Sequence, residues 1–63
     1  KNYFSEGVKS YESGQYEKAL EAYNKAIELS PSDWIIYAAK GDVLYKLGKY
    51  ELALELYKIK QLN

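Results

Sequence analysis

Gly14-Gln15-Tyr16-Glu17-Lys18-Ala19-Leu20-Glu21-Ala22-Tyr23-Asn24-Lys25-Ala26-Ile27-Glu28-Leu29-Ser30-Pro31 reads as one amphipathic helix with a stop written at each end. Ala19, Leu20, Tyr23, Ala26 and Ile27 recur at spacings of three, four and seven, which puts them on a single helix face. Gly14 interrupts the pattern before the helix, and Pro31, which cannot continue one, interrupts it afterwards. Ser32 and Asp33 are good caps for whatever helix follows.

The same period extends outward in both directions. Upstream, Tyr3, Phe4, Gly7, Val8 and Tyr11 share a face. Downstream, Trp34, Tyr37, Ala38, Gly41, Leu44 and Tyr45 do so, and after the break at Gly48-Lys49 so do Ala53, Leu54 and Tyr57. Strand alternation is absent over any useful length. The spacing predicts helices near 2–13, 16–29, 33–47 and 50–62, and the short breaks fold them into two antiparallel hairpins.

Shifting the chain by 34 residues superposes it on itself. Tyr3, Gly7, Tyr11, Gly14, Tyr16, Glu17, Ala19, Leu20, Glu21 and Tyr23 fall on Tyr37, Gly41, Tyr45, Gly48, Tyr50, Glu51, Ala53, Leu54, Glu55 and Tyr57. Most of these identities are small or aromatic residues, the types that decide helix packing. Gly7 and Gly41 lie inside helices, where glycine costs about 1 kcal/mol against alanine, so close approach of a neighbour is expected there. Ala19, Ala26 and Ala53 also permit close approach, and Tyr16, Tyr23, Tyr50 and Tyr57 fill the space left.

With this period and these residues the chain resembles the tetratricopeptide repeat family across essentially its whole length. That family's glycine before the second helix, its aromatic two residues on, its small residue, aromatic and second small residue, and its closing proline match Gly14, Tyr16, Ala19, Tyr23, Ala26 and Pro31. The second repeat matches at Tyr37, Gly41, Gly48, Tyr50, Ala53, Leu54 and Tyr57. The resemblance implies an all-α fold: two stacked helical hairpins of an α-solenoid with a right-handed superhelical sense. It divides one domain, 1–63, into repeat one at 1–33 and repeat two at 34–63.

Departures from the family pattern are local. Glu6 and Lys40 stand where leucine is frequent, and Ser10 replaces a common large residue. Gln15 and Lys49 occupy cap positions that Asp or Asn would serve better, so both second helices should start weakly. Lys60, Gln61 and Asn63 break the apolar pattern, making the last turn atypical.

Composition narrows the chemistry. The 63 residues carry nine Lys against nine Asp plus Glu, for a formal net charge of zero, and contain no Arg, His, Cys or Met. Lacking His and Cys, the chain offers neither the usual general base near neutral pH nor a thiol nucleophile, a disulfide or a common zinc site. No catalytic residue, cofactor or metal is expected. Glu17, Glu21, Glu28, Glu51 and Glu55 point away from the apolar stripes and read as a solvated surface, with Glu21–Lys25 and Asp42–Lys46 as i,i+4 pairs. Ser30 and Ser32 have no His to activate them. Eight tyrosines could stack on bases, but scattered lysines and zero net charge form no phosphate-binding stripe, which argues against nucleic acid.

The longest apolar run, Trp34 to Ala39, is far too short for a membrane span, and Lys1–Tyr11 has no signal-peptide core. With no Cys, this points to a cytoplasmic place. The lack of Met marks the chain as processed or as a piece of a longer one. Burying only ~60% of its unfolded surface, a unit of this size is marginal.

A protein or peptide partner remains. The resemblance places partner contacts on the inner face lined by the first helix of each repeat: Lys1, Phe4, Ser5, Val8, Tyr11 and Glu12, then Ile35, Ala38, Ala39, Asp42, Tyr45 and Lys46. Phe4, Val8 and Tyr11 form one stripe, which serves either as a peptide groove or as core. Members that clamp the C-terminal carboxylate of chaperones use Lys and Asn where this chain has Phe4, Val8 and Ala39, none of which donates a side-chain hydrogen bond, so that role is not expected. Leu52, Leu56 and Ile59 make a further apolar stripe where repeat one has Lys18, Ala22 and Lys25. Such a face calls for a covering helix or a second copy of the chain, so a structural unit that self-assembles through this face or through the open repeat ends is the alternative expectation.

Overall fold

The computed structural model describes residues 2–58, and they form four helices: α1 (Tyr3–Glu12), α2 (Tyr16–Leu29), α3 (Trp34–Lys46) and α4 (Tyr50–Tyr57). Their ends fall within a residue or so of the expected bounds for the first three. The atypical last turn lies outside the described residues. No strand occurs among the described residues. Each helix packs on its neighbour in sequence, α1 on α2, α2 on α3 and α3 on α4, as stacked hairpins require.

The hairpin turns are copies of each other. Gly14 and Gly48 sit at φ of +80° and +83°, where any other residue is strained. In each turn the next amide reaches back to close the helix: Gln15 N–H donates to the Ser10 carbonyl and Lys49 N–H to the Leu44 carbonyl, both at 2.8 Å. This is the glycine-terminated motif that satisfies a helix's last carbonyls. The N-terminal ends differ as expected. Asn2 accepts from Ser5 N–H at 3.0 Å and Asp33 from Ile35 N–H at 3.1 Å. Gln15 and Lys49 provide no side-chain cap. The turn between hairpins is tied by the Tyr37 hydroxyl, which donates to the Pro31 carbonyl at 2.6 Å.

The glycine notches hold rings rather than backbone. A Cβ built on Gly7 would lie 2.4 Å from Cε1 of Tyr23, and one on Gly41 would lie 2.9 Å from Cε1 of Tyr57. The notches therefore close each hairpin upon itself, with an aromatic ring from the second helix against the bare backbone of the first. The seam between hairpins is made otherwise. Ala19, Tyr23 and Ala26 of α2 join Ile36 and Val43 of α3 in one buried cluster, with Ala39 and Leu47 packed beside it. Ala19 and Val43 are completely buried. Alanine facing a β-branched side chain lets α2 and α3 approach closely.

Candidate functional site

The first helices of the two repeats carry the expected inner-face residues. Phe4, Val8 and Tyr11 are half-buried and all three pack against the core cluster, so they serve as core as well as surface. The Phe4 ring lies 5.6 Å, tilted, from that of Tyr23, the ring that fills the Gly7 notch. Glu12, Asp42 and Lys46 are exposed, Ala38 is half-buried, and Ile35 and Tyr45 keep about half of their surface in water.

Two of these residues come together across the repeats. Phe4 of α1 and Ile35 of α3 line one open cleft of about 580 Å³. Ala26 and Leu29 from the end of α2 and Asp33 and Ile36 at the start of α3 also line it. Leu29 is the most exposed of the large apolar residues among those described, at 70%. Tyr45 sits elsewhere, at the far end of α3, over the Tyr50 ring at 5.0 Å. One repeat earlier Tyr11 and Tyr16 make the same pair at 5.6 Å.

Asp42 has a role that the sequence did not announce. Its Oδ1 accepts a hydrogen bond from the Tyr57 hydroxyl. The ring that fills the Gly41 notch is thereby held by its polar tip as well as by its face. Val8 stands at the matching position of repeat one, so the tie exists in repeat two alone. Burial pushes the Tyr57 hydroxyl up, and the hydrogen bond to Asp42 and that carboxylate's charge push it further, to about 12. Burial, then the charge of Asp42, also raises Tyr23.

A tyrosine with a raised folded pKa binds more protons folded than unfolded between the two values. Its stabilising contribution is full below the unfolded pKa near 10 and is lost as the pH climbs from 10 towards 12. The melting temperature should fall over that window, less steeply in Tyr57→Phe than in the wild-type chain. Parallel curves in thermal melts would remove Tyr57 as a source of the alkaline loss.

The other expected surface lies along α4. Leu52 is half-exposed and Leu56 half-buried, and together with Leu20 and Leu44 they line a hollow of about 330 Å³. Ile59 lies outside the described residues. The five glutamates at 17, 21, 28, 51 and 55 are all exposed. Lys25 Nζ stands 6.0 Å from the centroid of the Tyr3 ring. No group of three or more carboxylates that could hold a metal occurs among the described residues, and no helix there is long and apolar enough to cross a membrane.

Reading identities alone missed a stripe on α3. Ile36, Val43 and Leu47, together with Ala39, which is expected on the inner face and packs in the seam instead, form the side of α3 that meets α2. The signal lay in the positions that fail to repeat, where Asn2, Ser5, Lys9 and Ser13 are the counterparts.

Four helices in two like hairpins, with glycine notches filled by rings at a 34-residue interval, define a helical-repeat protein. A family model described as TPR repeat matches residues 9–48, and the chain belongs to the tetratricopeptide repeat family. That match runs from within α1, through α2 and the seam, to the end of α3. No curated protein matches the chain. Membership of this family makes the chain a protein–protein interaction module in the general sense.

Proposed function

We propose that this module is non-catalytic and binds a peptide segment along the face formed by α1 and α3. The observation that carries the reading is the cleft shared by Phe4 and Ile35, in which apolar side chains from both repeats meet around an open volume of about 580 Å³. Phe4 is anchored from below by Tyr23, so its exposed edge is pre-positioned, which lowers the ordering cost of binding. Val8, Tyr11, Ala38 and Asp42 continue the face, and Glu12 and Lys46 supply charges of both signs. A peptide with spaced apolar anchors and a mixed polar edge suits it.

Panning a displayed random-peptide library on the chain tests the reading. Selected peptides should lose about tenfold or more in affinity to Ile35→Glu, since burying one such side chain is worth roughly 1.5–3 kcal/mol. Ile35 is half-exposed, so the melting temperature should not move. Binders indifferent to both Ile35→Glu and Lys46→Glu would place recognition elsewhere.

A second reading rests on Leu52, half-exposed beside Leu56 on α4: a structural unit that assembles with copies of itself through this face. Sedimentation separates the two. Assembly requires a mass that rises with concentration and falls in Leu52→Glu, whereas peptide binding requires neither.

A further inference from the structure

Asp42 is a charged residue of the inner face that the fold holds in place. Its Oδ1 accepts from the Tyr57 hydroxyl, and the Tyr57 ring is itself seated in the Gly41 notch. The carboxylate is thus ordered although Asp42 is exposed, and its second oxygen can accept another donor. Aspartate is a poor residue for a helix interior, and repeat one has Val8 at this position.

Nothing cationic balances it among the described residues. Lys46 has Glu12, of opposite sign, as its counterpart on α1, whereas the counterpart of Asp42 is the apolar, half-buried Val8. Burial, Asp42, Tyr11 and Tyr45 all raise the Tyr57 hydroxyl, and no lysine opposes them. Ile35 lies two turns before Asp42 on α3, so the two share a face and stand about 10 Å apart. Ile35 lines the apolar cleft, and the charge that lines it, Asp33, is also negative and also tied, through Oδ1, to Ile35 N–H. The apolar anchor site thus lies between two ordered carboxylates.

We propose that Asp42 selects the partner by receiving a lysine or arginine of the bound peptide, about three residues from the apolar anchor held at Phe4 and Ile35. This rests on the peptide-groove reading above and gives its ligand a chemical class, a basic and apolar segment. Three residues of extended chain span about 10 Å, the distance from Ile35 to Asp42 along the helix. The ammonium or guanidinium donates to the free oxygen of Asp42 while Tyr57 keeps the other in place. Tyr57 is a positioning residue, and holding the carboxylate beforehand lowers the ordering cost of the pair.

The test pans one displayed random-peptide library on the wild-type chain, on Asp42→Asn and on Asp42→Lys. Peptides that the wild type selects, and that Ile35→Glu weakens, should carry Lys or Arg about three residues from an apolar side chain. Selection on Asp42→Asn should lose that enrichment, and selection on Asp42→Lys should replace it with Asp or Glu. One selected peptide is then compared, by fluorescence anisotropy, with its form that has glutamine for the basic residue. On the wild type the two should differ by about fivefold, the upper end for an exposed pair, since one partner is already ordered. On Asp42→Asn they should bind equally. Tyr57→Phe, which lets the carboxylate turn, should narrow the difference without changing the affinity of the glutamine form. The glutamine comparison on the wild type needs no variant to fold. Ile35-dependent peptides without a basic residue, or a charge preference that survives in Asp42→Asn, overturn the proposal and leave the groove reading standing. An empty selection, or peptides indifferent to both Ile35→Glu and Lys46→Glu, overturns the groove reading and this proposal with it.

Discussion

Gly7→Ala is expected to destabilise the chain by about 2 kcal/mol, although alanine is the better helix former by about 1 kcal/mol. The added methyl would meet Cε1 and Cδ1 of Tyr23 at 2.4 and 2.5 Å. That ring is 97% covered, pinned by Phe4 on one side and by the cluster with Ile36 and Val43 on the other, so it has nowhere to go. Overpacking of this kind costs about 1–3 kcal/mol, and the upper end applies where the neighbour is a buried ring. A core of this size rarely supplies more than about 3–5 kcal/mol, so roughly half of the stability is at stake. Urea melts read the effect as a lower midpoint at unchanged slope.

Gly41→Ala supplies the comparison. Its Cβ would stand 2.9 Å from the Tyr57 ring, which is 36% exposed and can swing towards solvent by giving up the hydrogen bond to Asp42. The loss there should be the smaller of the two. Combining Gly7→Ala with Tyr23→Leu should cost less than the sum of the single changes, because the smaller side chain vacates the notch. A raised midpoint for Gly7→Ala would mean that helix propensity, not the ring, governs the position.

These notches explain how much of the fold was legible. Periodicity placed the helices, Gly14 and Gly48 placed the turns, and the 34-residue echo paired α1 with α2 and α3 with α4. All are local or repeated signals, and repetition states a packing rule twice. What stayed hidden is what happens once. The Asp42–Tyr57 hydrogen bond has no twin, because Val8 stands in its place in repeat one. The glycines announced a close neighbour without saying that it would be a side chain of their own hairpin. At the candidate site, spacing put Phe4, Val8 and Tyr11 on one stripe, but no spacing rule tells that Phe4 meets Ile35 across a cleft while Tyr45 turns to the end of the stack. Those placements depend on the angle at which one hairpin rests on the other, which is a property of the seam.

Val43→Lys should therefore have the largest effect of any conservative-length exchange with the other repeat, a loss of at least about 3 kcal/mol. Val43 is fully buried among residues of both hairpins. Its burial contributes roughly 1.5–3 kcal/mol, and an ammonium forced into the same seam adds a desolvation cost that only a lowered pKa or an outward bend of the stem relieves. Either escape leaves Ala19 and Ala26 without their partner. Far-UV circular dichroism during a thermal melt should show the chain unfolded, or close to its midpoint, at room temperature. A wild-type midpoint would show that the hairpins do not depend on this seam.

The reverse exchange separates position from composition. Lys9→Val lies on an exposed face, so its stability effect should stay within about 0.5 kcal/mol. Joined with Asn2→Ile, Ser5→Ala and Ser13→Leu, it gives α1 the stripe that α3 uses, and copies should then add head to tail onto the Tyr45–Tyr57 face as concentration rises. The same four positions, read as polar or apolar, decide whether a helix ends a stack or continues it.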